Sequence, residues 1–377
     1  MDGTGSTFPR GFGITLPVIR ICFGRRRRVI ALRIGTSYAE QTLMNIKEVA
    51  RLAKVSTATV SRTINGSDKV TAETAERVRR AIEKLKFYPN TNARALGSGR
   101  SNLYGLIISD ITNPFFPELV KSFEDVAVQF GQEVLVANTN YDAHRMEVCV
   151  SRMLQRKVDG VAVMTSEMDE RLIEEMNSRL IPLVFLDTGV PQHGISNISV
   201  DYAAGIDAAV EHLSALGHTA IGFISGPMNL VSARVRCNAF TQSMKRKGLR
   251  LHQAMIEEAN HRMEGGHDAM MRLLRKKVQP TAVLASNDMT AIGAIGAITE
   301  SGLKVPGDIS VIGFDDIQLS AYTQPALTTV RLSRNEIAKI AFRALYNTKH
   351  EPAAKGAEYT VQPELVVRKS TGPAPAR

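Results

Sequence analysis

The stretch "STATVSRTING", residues 56–66, decides how the N-terminal quarter of the chain is read. Ser56 suits a helix N-cap, because its hydroxyl can accept an N–H that the first turn leaves unpaired. Val60 and Ile64 recur at i and i+4 and so share one inward face of a short helix. Asn65-Gly66 supplies the stop. With Val60 and Ile64 inward, Thr57, Ala58, Ser61 and Arg62 point outward. A lone arginine is left among small residues on an exposed face, with nothing beside it to pack against.

The flanking sequence explains that face. Upstream, Asn45 followed by Glu48 has the spacing of a capping box, and Ile46, Val49, Ala50 and Ala53 fall on one side of "IKEVARLAK". Downstream, Thr71 caps "AETAERVRRAIEKLKF", whose Val78, Ile82 and Leu85 form a third apolar stripe. Two short helices joined by a tight turn and braced by a third predict a helix-turn-helix. Such a fold puts the start of its second helix in the DNA major groove. Arg62 can then donate two hydrogen bonds to guanine O6 and N7, while Thr57 and Ala58 suit thymine methyl groups.

Charge supports a nucleic-acid partner. The chain has 377 residues and a net charge of +10, placed unevenly. Residues 1–43 carry 7 Lys/Arg against 2 Asp/Glu, and residues 44–100 carry 12 against 5. The remainder carries 28 against 30, so a near-neutral body follows a basic N-terminal quarter. No apolar run reaches the roughly 20 residues of a spanning helix, so no membrane partner is expected. Cys22, Cys149 and Cys237 are odd in number and far apart, which fits a reducing cytoplasm and no disulfide framework. The histidines form no helix-face metal pair, so neither a metal nor another cofactor is expected. In residues 1–43, "GRRRRVIALRIG" puts its cations in the middle and shows no clear cleavage site. That segment reads as a basic arm along DNA, a disordered tail, or a start called too early, with Met44 the true beginning.

From Leu103 the pattern changes. "LYGLIIS", "EVLVAN", "GVAVMTS", "PLVFLD", "AIGFISG", "AVLASN" and "SVIGF" are short apolar runs separated by amphipathic segments. Seven such strands predict two α/β subdomains with parallel sheets. Ligands of such sheets bind beyond the strand C-terminal ends. There lie Asn113, Phe115 and Phe116 in "SDITNPFF", an exposed loop by this reading, then Ser232 and Arg236, Asn287-Asp288 and Asp315-Asp316. Aromatic rings can cover a small ligand's apolar face, and Arg, Asn and Asp can pair with its hydroxyls. Asn287 could equally cap the next helix, and Asp315-Asp316 could make a turn. The chain lacks a G-x-S-x-G elbow, a G-x-x-x-x-G-K-[ST] loop and a G-x-G-x-x-G after a strand, so catalytic residues are not expected. "GAIGA", residues 293–297, reads as close helix packing. "YTVQPELVVRKS" reads as a last strand, and "TGPAPAR" as a disordered tail.

The run from Asn45 to Leu96 closely resembles the DNA-binding head of the lactose/galactose repressor (LacI/GalR) family, and the resemblance continues through almost all of residues 44–370. It implies a ligand-responsive DNA-binding transcriptional regulator, a repressor of carbohydrate-metabolism genes, acting as a homodimer on a pseudo-palindromic operator. Thr57, Ala58 and Arg62 match the family's base-choosing positions, and Ser56, Thr59, Ser61 and Asn65 complete the DNA-facing set. The segment "YPNTNARAL" matches a hinge that becomes helical on DNA and enters the minor groove. Within it Asn90 and Ala93 face the duplex and Leu96 is the apolar wedge. The body is similar to periplasmic sugar-binding proteins. "NPFF" resembles the ribose-type binders, and Arg236, Asn287 and Asp315 match hydroxyl-binding positions. His261 falls where relatives often carry Phe or Trp, a departure that would admit a more polar or acidic ligand. Asp201 reads as a helix cap at the subdomain crossover, and Glu167 as a lesser ligand candidate. The implied effector is a sugar or sugar derivative. A tetramer-forming leucine heptad is not seen, so a dimer is expected.

The expected fold class is an N-terminal all-α helix-turn-helix head plus an α/β periplasmic-binding-protein-like core of two doubly wound parallel-sheet subdomains. The expected segments are 1–43 as extension or mis-called start, 44–100 as head and hinge, 101–370 as core, and 371–377 as tail. A solute-binding protein feeding a transporter is the rival reading. It would need an export signal and would not need residues 44–96.

Overall fold

A computed structural model describes residues 45–64, 66–88, 100–165, 168–351 and 355–376. Asn65, Asn90, Ala93, Leu96 and Glu167, and the expectations about residues 1–43 and the hinge, lie outside the described residues. The chain divides into two compact units, taken here one at a time.

The first unit is three helices, α1 (Ile46–Ala53), α2 (Thr57–Ile64) and α3 (Ala72–Leu85). Asn45 caps α1, its Oδ1 accepting from the Lys47 and Glu48 amides at 3.0 and 3.3 Å. Lys54, left-handed at φ 54°, turns the chain, and its amide and that of Val55 close onto α1 carbonyls. Ser56 Oγ accepts the Thr59 amide at 3.1 Å, and Thr71 caps α3. Val49, Ala50, Ala53, Val60, Val78 and Ala81 are buried together, with Ile46, Ile64, Ile82 and Leu85 packed around them. The apolar stripes read from sequence therefore do meet.

The second unit holds two six-stranded sheets. The first contains β1 (Leu103–Ile108), β2 (Glu133–Asn138), β3 (Gly160–Met164), β4 (Leu183–Leu186), β5 (Ile195–Val200) and β11 (Glu358–Val361), in the order β11-β5-β4-β3-β1-β2, all parallel. The second contains β6 (Ile221–Ser225), β7 (Ile256–Glu258), β8 (Ala282–Ala285), β9 (Ser310–Asp315), β10 (Thr328–Arg331) and β12 (Glu364–Val366). Its order is β12-β10-β9-β8-β6-β7, and only the β10–β12 pair is antiparallel. The helices are α4 (Phe115–Gln129), α5 (Ala143–Arg156) and α6 (Glu170–Asn177) on the first subdomain. On the second they are α7 (Tyr202–Ala215), α8 (Val231–Arg246), α9 (Met263–Leu274) and α10 (Asp288–Glu300). The last helix, α11 (Arg334–His350), returns to the first sheet and packs against α4. The chain thus passes between subdomains three times, after β5, after β10 and after β11. The expected fold class is what the structure shows.

Three expectations need correction. Twelve strands, not the seven runs and one last strand expected, are present among the described residues. β5 ("ISNISV") and β10 ("TTVR") are buried strands whose Ser, Asn and Thr hid the apolar pattern, and β7 ("IEE") is a sheet edge that can carry glutamates. The single last strand is two, β11 and β12, in different sheets. Pro363 lies between them and can donate no ladder hydrogen bond. The tail is ordered through residue 376 because its backbone is bonded. His218 Nε2 meets the Gly372 carbonyl at 3.0 Å, His212 Nε2 meets the Thr371 hydroxyl at 3.0 Å, and the Ala374 amide donates to the Leu216 carbonyl at 2.8 Å. Composition alone suggested disorder, and it does not reveal such backbone docking.

The "GAIGA" glycines are not equivalent. A Cβ on Gly293 of α10 would overlap the Met263 carbonyl of α9, whereas one on Gly296 would find nothing nearer than His267 Cδ2 at 4.0 Å. Gly293→Ala should therefore lower stability by about 2–4 kcal/mol. Gly296→Ala should raise it by up to about 1 kcal/mol through helix propensity. Urea unfolding of both variants checks this, and equal effects would contradict the packing.

Candidate functional site

In the helical unit, Ser56, Thr57, Ala58 and Arg62 are exposed, and Thr59 and Ser61 are half-buried. Thr59 is committed to the helix start, since its hydroxyl pairs with Ser56 Oγ at 3.0 Å and its carbonyl accepts from Thr63. Thr57, Ala58 and Arg62 are the exposed members of that set on α2, and Ser61 is partly exposed. Arg62 makes no ion pair among the described residues. Exposed Arg51, Lys54, Lys69, Arg77, Lys84 and Lys86 surround this unit with positive charge.

In the two-sheet unit, one cleft at the strand C-terminal ends brings together eight of the residues named from sequence: Asn113, Phe115, Phe116, Ser232, Arg236, His261, Asn287 and Asp315. It encloses roughly 690 Å³ of space, mouth included. Phe115 and Phe116 are not in an exposed loop as expected. They are the buried first residues of α4, set edge-to-face at 5.3 Å between centroids. Asn113 makes this geometry, because its Oδ1 accepts the Phe115 amide at 3.1 Å and its carbonyl accepts the Phe116 amide at 3.0 Å.

Arg236 sits at the cleft's centre. It is buried, with its guanidinium carbon 4.7 Å from the Tyr202 ring centroid and 4.8 Å from that of Phe314. Nη1 donates to the Ser286 carbonyl at 2.7 Å and Nη2 to the Tyr202 hydroxyl at 3.4 Å, while Nε is buried without a partner among the described residues. Two carboxyls share its field. Burial pushes Asp315 up to about 6, against the pull of Arg236 and Arg334. Burial also raises Asp187, which accepts the Tyr202 hydroxyl at 2.6 Å and the Val200 amide at 2.9 Å. The His261 ring rests against Gly226, where any Cβ would overlap it, and faces Ser286 Oγ at 3.3 Å. Burial, aided by the Arg236 charge, drives His261 down to about 3, so it is neutral at physiological pH.

Asn287 does both things considered for it. It caps α10 through the Thr290 amide at 2.9 Å, donates to the His261 carbonyl at 3.0 Å, and still lines the cleft. Asp288 and Asp316 do not line it. Asp288 is buried among Ile317, Ser320 and Thr329, and Asp316 pairs with Arg331 and Arg368 at 2.7 and 2.6 Å. Asp201 caps α7, as expected. Sequence reasoning missed Asp187, Tyr202 and Tyr141. Asp187 follows directly on "PLVFL", so the rule of inspecting each strand end would have found it. Tyr202 opens a helix and carried no such mark. No group of three or more metal-ligating side chains occurs among the described residues.

Asp315 gives this geometry a pH signature. Its folded-state value lies above the ordinary 3.8. The stability it contributes is full below that ordinary value and is lost as pH rises through about 6. The stability difference between the wild-type chain and Asp315→Asn should therefore fall by roughly 3 kcal/mol between pH 3.5 and 7. Denaturant unfolding at several pH values measures it, and a flat difference would place Asp315 in a solvated environment.

Comparison with known proteins bears on both sites. Residues 45–90 match the family described as bacterial regulatory proteins, lacI family, and residues 210–371 match a periplasmic binding protein-like domain. The HTH-type transcriptional repressor PurR of Pasteurella multocida is 33% identical over 330 residues, covering 87% of this chain and 98% of that one. The ribose operon repressor of Escherichia coli is 34% identical over 330 residues, covering 87% and 100%. Among solved structures, the lac repressor dimer bound to operator and the anti-inducer ONPF is similar with a TM-score of 0.78 at 30% identity, covering 87% of this chain and 99% of that one.

Proposed function

The chain belongs to the lacI family of bacterial regulatory proteins, and from that membership we propose a ligand-responsive repressor that reads operator DNA with α2 and senses an uncharged polyol in the cleft. The observation that supports this reading is the convergence of eight residues named from sequence on one pocket around the buried Arg236.

On DNA, Arg62 pairs with a guanine edge while Thr57 and Ala58 contact neighbouring bases. The surrounding Lys and Arg side chains neutralise phosphates, so affinity falls steeply with salt. Asn90, Ala93 and Leu96 belong to the minor-groove hinge in this reading. A homodimer places two such heads on a pseudo-palindrome. Exposed Ile111, Val136 and Val148 around the edge strand β2 supply apolar area for the partner. The relative of solved structure is itself a dimer on its operator.

The cleft's charge names the ligand class. Asp187 and Asp315 face one guanidinium, Arg236, and His261 is neutral, so the lining holds no surplus of positive charge. An anionic ligand would enter with nothing to balance it, which weighs against the acidic ligand that His261 suggested from sequence. A neutral, hydroxyl-rich ring between Phe115, Phe116 and Leu230 fits better. The operon named for the Escherichia coli relative makes D-ribose the first probe. The chemistry required of the cleft is binding alone, so no catalytic residue is assigned.

Purified protein should select a two-fold-symmetric site from genomic fragments, and Arg62→Ala should relax one base per half-site at a cost of about 1–3 kcal/mol. Unchanged base preference would remove Arg62 from that role. By calorimetry, neutral pentoses and hexoses should bind and their phosphates should not. Asp315→Ala should lose that binding while keeping ligand-free DNA affinity. Tight binding of a sugar phosphate would overturn the charge argument.

A further inference from the structure

Besides the Tyr202–Asp187 bond inside the cleft, a second set of polar contacts joins the two subdomains outside the ligand-facing groups. Arg262 Nη2 of the second subdomain donates to Asp110 Oδ2 at 3.1 Å and to Asn140 Oδ1 at 3.3 Å, both on the first subdomain. The Asp110 side chain is only 5% exposed, and its other oxygen accepts from the Thr112 amide and hydroxyl at 3.0 and 2.7 Å. Burial would raise this carboxyl, but the Thr112 bonds and Arg262 outweigh it and hold it below its ordinary value. It is a built, ionised acceptor, not a chance surface group. Arg262 is half exposed and lies outside the pocket lining.

Each partner is chain-adjacent to a cleft residue. Arg262 follows His261, Asn140 precedes Tyr141, and Asp110 lies three residues before Asn113. Asn140, Tyr141 and His261 are all left-handed, at φ 54°, 58° and 62°. Non-glycine residues adopt that conformation at a cost, and such residues gather where geometry serves function. At Asn140-Tyr141 and His261-Arg262 a left-handed backbone accompanies one residue in the cleft and its neighbour at the contact across it.

We propose that Asp110, Asn140 and Arg262 form a clasp that holds the two subdomains closed and sets how long a ligand stays bound, without touching the ligand. The clasp rests on reading the cleft as a ligand site. Its three members are positioning residues. They bias closure before binding and oppose opening after it, so part of the affinity is built into the protein and part into the ligand contacts. An ion pair with one buried and one half-exposed partner is screened by salt, so ligand release should quicken as salt rises.

The test uses the full chain carrying Cys22→Ser, with spin labels at exposed His144 on α5 and Asp268 on α9, beside Arg262→Met and Arg262→Lys. Without ligand, Arg262→Met should shift the label separation toward a longer, broader distribution, and Arg262→Lys should fall between it and the wild-type side chain. With D-ribose as probe, Arg262→Met should speed dissociation roughly three- to tenfold, with Arg262→Lys again between. Superimposable distributions for all three side chains would overturn the clasp, whether or not ribose binds. Failure of ribose and every other sugar to bind the wild-type chain would instead count against the ligand reading, while the ligand-free distances still judge the clasp. A plain folding defect would appear as a lowered melting temperature, which a clasp at a half-exposed side chain does not require.

Discussion

Much of the cleft follows from one constraint, the burial of the Arg236 guanidinium. A charge removed from water needs compensation from fixed groups or it costs several kcal/mol. Here the neighbouring rings of Tyr202 and Phe314 lie against it, the Ser286 carbonyl accepts one N–H, and Asp315 and Asp187 supply negative field. Those same groups are then themselves perturbed. Burial makes Asp315 and Asp187 harder to ionise against the pull of Arg236, burial and Asp187 hold the Tyr202 hydroxyl protonated, and burial, aided by the Arg236 charge, keeps His261 neutral. The buried Nε that finds no partner among the described residues marks where this compensation stops short.

Holding these groups in place strains the backbone at the strand ends. Asp187, Asp315 and Asp316 follow or end strands in the left-handed half of φ space, at 66°, 112° and 54°. Asn140, Tyr141 and His261 do the same on the neighbouring loops. By contrast, Lys54, Lys86 and Lys157 are left-handed only as ordinary helix C-caps. The first group lacks that local excuse, and each member costs about 1–3 kcal/mol that surrounding structure must supply. It is supplied close by. Asp316 is locked by Arg331 and Arg368, and the Asp315 and Asp316 carbonyls both accept from Arg334. Arg334 also pairs with Glu118 at 2.8 Å, one turn along α4 from Phe115, and Glu118 accepts the Gln318 amide at 3.0 Å. The rigid carboxyl of one subdomain is thereby tied to the aromatic wall of the other.

Helix ends and the residues at strand ends were more legible in the sequence than the sheets were. Helix stops and caps in the head are local chemistry, so Asn45, Ser56 and Thr71 could be read directly, and the inward Val60 and Ile64 followed from spacing. Cleft residues were legible because a parallel sheet directs them to one end, so each apolar run pointed to its own successor. β5 and β10 escaped because their serine, asparagine and threonine side chains satisfy themselves only in the assembled fold. Thr329, for example, donates to the buried Asp288 forty-one positions away, a partner no local pattern announces. The division of "YTVQPELVV" between two sheets, and the docking of the tail on His212 and His218, are likewise long-range facts. Gly293 and Gly296 look alike in sequence and differ only because α9 lies against one of them.

Contacts across the cleft also bear on how a sensor of this kind is tuned. A ligand shifts a two-state equilibrium only by its differential affinity for the two states. Driving the equilibrium from mostly open to mostly closed takes about 5.5 kcal/mol of that difference. A small ligand has few atoms with which to supply it. Contacts such as Arg262–Asp110 and Glu118–Gln318, made by the protein alone, reduce what the ligand must provide. They also raise the closed population without ligand and so narrow the response. An exposed, salt-screened pair at the mouth meets both demands better than a buried apolar seam would, because it adds closure in small amounts.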